Sequence, residues 1–153
     1  ASVRYIGVLG NGQPELYLSG ERMRLTARHG NIAVSLHVLR QGRDLLVMCS
    51  GGQAHIGAVA VASPRSAAQP PTIPDSEERS EGLIVLPGHR EDLLAARMAR
   101  RLADALHCTV CVSAGIHFDA ITKEEIARVL DLTATLTERC VAQLQQSAKD
   151  TVC

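Results

Sequence analysis

Apolar positions along this chain follow two different periods, and the change from one to the other divides it in two. Met23, Leu25 and Ala27 alternate with Arg22, Arg24, Thr26 and Arg28, the two-residue period of a half-buried strand. His29-Gly30-Asn31 predicts a tight turn, because Gly and Asn tolerate positive φ. Ile32, Val34, Leu36 and Val38 alternate through a second strand, and Gln41-Gly42-Arg43-Asp44 turns the chain again. The continuous apolar run Leu45 to Cys49 predicts a central strand. Ser50-Gly51-Gly52 breaks it, and a fourth strand follows from His55 to Ala62. Short links predict that these four strands form an antiparallel meander.

Beyond a stretch holding Pro64, Pro70, Pro71 and Pro74, the period changes. Leu83-Ile84-Val85-Leu86 predicts a buried strand ended by Pro87-Gly88. Leu94, Met98, Leu102, Ala105 and Leu106 then mark one face of a helix, with Arg97, Arg100, Arg101 and Asp104 on a solvated face. Cys108 to Val112 predicts the next strand, so the unit is β-α-β and its strands run parallel across a right-handed crossover. Thr122-Lys123-Glu124-Glu125 has the form of a capping box. Ile126, Val129, Leu130, Thr133, Leu136, Cys140 and Leu144 repeat behind it, predicting a long helix over about 122–147 that packs on the sheet or on a partner subunit.

The expected fold is α+β: a mixed sheet with an antiparallel four-strand meander, followed by a β-α-β unit and a long C-terminal helix. One domain spans 22–147, with a mobile loop at 63–82. A Gly-rich, weakly patterned segment precedes it at 1–21, and a tail follows at 148–153.

Composition narrows the function. The chain is 46% hydrophobic but 2% aromatic, so its core is built from Ala, Val, Leu and Ile. Lys+Arg equals Asp+Glu at 16 each, which favours neither nucleic acid nor an anionic membrane. No apolar run reaches membrane-span length, and no signal peptide stands out in Ala1 to Gly20. The five cysteines are odd in number and mostly lie in apolar segments, as in a cytoplasmic protein with reduced thiols. Cys108 and Cys111 have C-x-x-C spacing, but on a strand residues three apart face opposite ways, which argues against a shared metal or disulfide.

The candidate chemistry lies in three Gly-flanked turns, around His55, His89 and His117. The turns at His89 and His117 follow the carboxyl ends of parallel strands. His55 opens a strand running the other way, so all three are expected at one sheet edge, where open sheets with helical crossovers commonly bind ligands. The helix starts after Pro87-Gly88 and after Thr122, with Arg90 and Lys123 beside them, offer N–H groups and positive charge to a phosphate. Each feature also has a plainer explanation. The histidines taken singly suit capping or packing. Gly51, Gly52, Gly57, Gly88 and Gly115 suit turns as well as close approach to a ligand. Phe118, the one Phe of the chain, suits the core or stacking on a flat ring. Asp119 suits a cap or a ligand contact, and Glu91 and Asp92 suit a helix dipole. A three-histidine metal site is geometrically possible. No H-E-x-x-H, G-x-S-x-G or P-loop motif is present.

The words His55-Ile56-Gly57-Ala58-Val59-Ala60-Val61-Ala62, Leu86-Pro87-Gly88-His89-Arg90-Glu91-Asp92 and Ala114-Gly115-Ile116-His117-Phe118-Asp119-Ala120-Ile121-Thr122 resemble the prenylated-flavin chaperone family. These are the small D-type accessory proteins of gallate and other UbiD-type decarboxylases. The resemblance covers about Arg22 to Leu144. It implies a non-catalytic protein that binds prenylated FMN, or FMN, and carries it from a flavin prenyltransferase to a UbiD-type decarboxylase. The expected cofactor-binding residues are Gly51, Gly52, His55, Gly88, His89, Arg90, Gly115, His117, Phe118, Asp119 and Lys123. A homodimer is expected, with no metal. Two other readings stand beside it: a metal-dependent hydrolase or lyase using His55, His89 and His117, and a structural subunit of a decarboxylase complex.

Overall fold

A computed structural model describes residues 3–8, 14–18, 22–65 and 82–151, with side chains for 22–65 and 82–149. Eight strands and two helices follow in chain order: β1 (Val3–Val8), β2 (Pro14–Leu18), β3 (Arg22–His29), β4 (Ile32–Gln41), β5 (Asp44–Gly52), β6 (Ala58–Ala62), β7 (Gly82–Val85), α1 (Asp92–Leu106), β8 (Val110–His117) and α2 (Lys123–Thr151). β1 and β2 pair antiparallel as a small sheet, inside the segment expected to be weakly patterned. Most of the expected 63–82 loop lies outside the described residues. α2 continues to Thr151, past the end near 147 that the apolar repeat predicts.

The main sheet has six strands in the order β3-β4-β5-β8-β6-β7, with β5 and β8 parallel and every other pair antiparallel. It is the mixed sheet of an α+β fold, with one rearrangement. The meander stops at three strands, because β8 inserts between β5 and the fourth strand, β6. The β-α-β expectation shifts in the same way: β7 and β8 both run antiparallel to β6 and so point the same way, but β6 lies between them. Sequence adjacency favours pairing β5 with β6, yet β8 suits the central place better. Its Val110, Val112 and Ala114 are fully buried under the helices. Its start is tied to β5 by Thr109 N–H donating to the Asp44 carboxylate at 3.0 Å and Leu45 N–H donating to Thr109 O at 3.0 Å.

Both helices cover one face of this sheet, α1 over β6, β8 and β7, and α2 over β3 and β4 and along α1. The alternation read from the sequence decides that they bury Val34, Leu36 and Val38 of β4. They also bury Leu45, Val47 and Cys49 of β5 and Ala58, Ala60 and Ala62 of β6. Leu46 and Met48 are exposed on the other face, so the continuous apolar run of β5 is covered by the described residues on one side only. Ala95, Ala99 and Ala103 give α1 a flat, small-residue face against the sheet, with Leu102 fully buried among them. Leu136, Cys140 and Val141 of α2 complete the core. Burial pushes the thiol of Cys49 up to about 12 and that of Cys140 up to about 11, so neither is a nucleophile at neutral pH. Cys108 and Cys111 are both free thiols.

The arginine face of α1 is not simply solvated. Arg100 is 5% exposed. It donates to Ser63 O and to the Asp104 carboxylate, which also accepts two hydrogen bonds from the Arg65 guanidinium. Burial alone would raise the Asp104 carboxyl. The hydrogen bonds from Arg65 and Arg100 outweigh it and hold the group below its usual range. A depressed carboxylate stabilises the fold above its unfolded pKa of about 3.9, and that stabilisation is lost as pH falls through the lower folded value. Asp104→Asn is therefore expected to cost about 1–2 kcal/mol at pH 7. The gap from the wild type should narrow at pH 3 in thermal denaturation. An equal gap at both pH values would show that the carboxylate's charge contributes nothing.

Candidate functional site

Four strand ends meet at one edge of the sheet. β5 and β8 finish side by side, with Gly52 opposite His117. β6 begins there, with Ala58 opposite both Ala114 of β8 and Val85, the last residue of β7. α1 and α2 both start from this edge. Between the two helices and the sheet edge lies a cavity of about 940 Å³. His55, His89 and His117 all line it. The strand polarity read from the sequence thus brings the three histidines to one place, although β8 runs to His117 and so carries it on a strand end and not in a turn, while β6 starts only at Ala58 and leaves His55 in the turn before it and not at its opening.

The cavity has two kinds of wall. Leu94, Met98 and Ile121 line it with Val129 and Leu130 of α2, and Phe118 joins them while also packing on the core. Leu93, Ile126 and Leu130 stay about half exposed around it. Polar groups come from the histidine turns and from α1: Arg90, Arg97 and Arg101 line the same space. Arg101 is engaged with Glu138 across the cleft, through two hydrogen bonds of 2.8 and 2.9 Å. Arg97 and Arg101 thus face the cleft between the helices, contrary to the solvated face that the helical period predicts.

At the sheet end of the cavity the polar groups are tightly knit. His55 Nδ1 lies 3.0 Å from Gln53 O, which only accepts, so Nδ1 carries the hydrogen. His55 Nε2 then points at His89 Nδ1, 3.0 Å away, and at Glu91 Oε1, 3.2 Å away. Glu91 precedes α1 but makes no side-chain cap to it. Its carboxylate turns to the sheet edge and accepts from Ile116 N–H at 3.3 Å and from Arg90 N–H at 3.0 Å. Gly57 leaves the space for it: a Cβ there would sit 2.5 Å from Glu91 Oε2. A mainly dipole-stabilising role for Glu91 does not fit this geometry. The sequence hides that, because an acidic residue at a helix start is ordinary. His117 is not part of the cluster; its Nε2 pairs with Asp119 Oδ1 at 3.1 Å, and Asp119 also accepts from Gln53 Nε2 at 3.1 Å.

Of the residues singled out from the sequence, His55, Gly88, His89, Arg90, His117 and Phe118 line the cavity, while Gly51, Gly52, Gly115, Asp119 and Lys123 do not. The three glycines admit the protein's own chain. A Cβ on Gly115 would lie 1.8 Å from His55 O, one on Gly52 would lie 2.0 Å from His117 O, and one on Gly51 would lie 2.9 Å from Ala33 O. Asp119 lies behind His117 and holds its Nε2 at 3.1 Å. The start of α2 beside Lys123 is closed by the capping box, Thr122 N–H donating to Glu125 and Glu125 N–H to the Thr122 hydroxyl.

Fold and cavity together define a small α+β protein with a ligand-sized cleft at the edge of its sheet, lined by apolar side chains and two arginines along the helices and by three imidazoles and Arg90 at the sheet end. Residues 28–145 match the prenylated flavin chaperone LpdD-like domain, and the chain belongs to that family. Over 105 residues it is 30% identical to Protein LpdD of Lactiplantibacillus plantarum, an alignment that covers 68% of this chain and 71% of that protein.

Proposed function

We propose that the cavity between α1 and α2 binds prenylated FMN, and that the protein carries this cofactor from the prenyltransferase that makes it to a UbiD-type decarboxylase. The observation that supports this most is a ligand-sized cavity with apolar side chains along both helices and with His55, His89, His117 and Arg90 gathered at its sheet end. The chain's residues fit the group. A flat flavin ring would lie among Met98, Phe118, Val129 and Leu130. The phosphate would lie near Arg90, at the start of α1, whose first turn has no side-chain cap. His55, His89 and His117 would meet the polar edge of the ring. When bound, the cofactor supplies the decarboxylase with its reactive ring; this chain's part is to hold it and limit its contact with water. Family membership and the absence of a nucleophile motif favour a carrier over a hydrolase or lyase.

The same reading includes a cytoplasmic homodimer. In its favour, Leu83, Ile84 and Val85 are exposed on the edge strand β7, contrary to the buried strand that their apolar run predicts, and so are Leu46, Met48 and Val61 on the sheet face away from the helices. No helix is long and apolar enough to cross a membrane among the described residues.

Titration with prenylated FMN, followed by absorbance, is expected to saturate at one equivalent per chain. The loaded protein should raise the activity of an apo-decarboxylase and decarboxylate no hydroxybenzoate by itself. Charge-assisted hydrogen bonds are worth about 1.5–3 kcal/mol, so Arg90→Ala should weaken binding about ten- to a hundredfold. Unchanged affinity in Arg90→Ala would move the phosphate elsewhere. Sustained decarboxylation by the protein alone would turn the carrier into a catalyst.

A further inference from the structure

We propose that His55, His89 and Glu91 form a binding site for a first-row divalent transition metal ion, set into the sheet end of the cavity. It is a different set from three histidines, because Glu91 stands where His117 does not reach. His55, His89 and Glu91 each offer a ligand atom, and these atoms all lie within 4.8 Å of one another.

The spacing is that of a coordination sphere. Two donors each ~2.1 Å from one ion are ~3.0 Å apart at a right angle and ~3.4 Å apart at the tetrahedral angle. Here His55 Nε2 is 3.0 Å from His89 Nδ1 and 3.2 Å from Glu91 Oε1, and His89 Nδ1 is 3.7 Å from Glu91 Oε2. The two imidazole nitrogens and the carboxylate are thus already grouped at the spacing of ligands to one ion.

Gln53 O holds a hydrogen of His55 on Nδ1, which leaves Nε2 facing a carboxylate oxygen 3.2 Å away. A divalent ion shared by Nε2, His89 Nδ1 and the carboxylate satisfies all three contacts at once. The hydrogen bond to Gln53 is also the kind of outer contact that orients a metal-ligating histidine. Glu91 is oriented in the same way by the N–H groups of Arg90 and Ile116.

Two imidazoles and one carboxylate suit Zn²⁺, Mn²⁺, Fe²⁺ or Co²⁺, and leave coordination positions for oxygen donors. His55, His89 and Glu91 all line the cavity, so those positions open toward whatever occupies it. The site goes beyond the flavin reading and does not rest on it.

The test uses chelator-treated, flavin-free protein and the metal alone. Titration with Co²⁺, read by its visible d–d absorption, and with Zn²⁺, read by calorimetry, is expected to show one ion per chain. His89→Ala and Glu91→Gln should each weaken binding roughly a hundredfold or more, since even the outer contacts of a metal site are worth about ten- to a hundredfold. His37→Ala, on β4, controls for adventitious histidine binding and should leave the affinity unchanged. Glu91 also holds two backbone N–H groups, so circular dichroism checks each variant's fold, and the more exposed His89 gives the cleaner result. Absence of stoichiometric binding would leave a proton in the gap and overturn the site; so would affinity undiminished in His89→Ala. Metal binding without flavin binding would leave this site standing and remove the flavin reading instead.

Discussion

Gly115→Val is expected to lower the melting temperature by about 6–12 °C and to abolish binding in the cavity. Gly115 lies in β8 directly beneath the turn that carries His55. A Cβ there would come 1.8 Å from His55 O and 2.4 Å from its carbonyl carbon. Both are backbone atoms, so no side chain can rotate to relieve the clash. The turn also docks on β8 through Gly57 N–H donating to Ala114 O at 2.9 Å, one residue away. Separating the two segments breaks that hydrogen bond and moves His55 away from Glu91. Overpacking costs about 1–3 kcal/mol and occasionally more; a clash with backbone belongs at about 3 kcal/mol, and each kcal/mol lowers the melting temperature of a domain this size by about 2–4 °C. Gly88→Ala is the contrast. Nothing lies within 4 Å of its Cβ position, and only its φ of +80° opposes a side chain, at about 1–2 kcal/mol. Differential scanning fluorimetry separates the two. Equal melting temperatures for Gly115→Val and the wild type would show that the His55 turn is not packed on β8 in this way.

Ala134→Trp is expected to weaken prenylated FMN binding more than about a hundredfold while leaving the melting temperature within about 2 °C of the wild type. Ala134 lies on α2 and lines the cavity, yet it is exposed and outside the core. An indole there projects into the space that the flavin ring would fill, and displaces no buried side chain. Loss of binding with an intact fold would place the ligand between the helices. Undiminished binding would place it elsewhere on the molecule, whatever the fate of Arg90→Ala. The same variant should keep its affinity for Co²⁺, because the His55–His89–Glu91 cluster sits at the other, sheet end of the cavity.

Much of the architecture is legible in the sequence, because burial on one face imposes a period that can be read directly. The two-residue alternation of β3 and β4 and the helical stripes of α1 and α2 appear as predicted, down to the capping box at Thr122. Strand direction was legible too, since a helical crossover and a reversed strand leave few options, and that is enough to bring the three histidines to one edge. Three things were settled only in three dimensions. The place of β8 between β5 and β6 depends on which partner buries Val110, Val112 and Ala114 best, and sequence adjacency points to the other pairing. Gly51, Gly52 and Gly115 have their purpose in backbone crossings between segments far apart in the chain, which no local pattern reports. Glu91 looks like any acidic residue at a helix start until its missing cap and its 3.2 Å approach to His55 show it turned the other way. Periodicity records which face is buried. The direction in which one side chain leaves a turn is decided by neighbours that only the folded chain supplies.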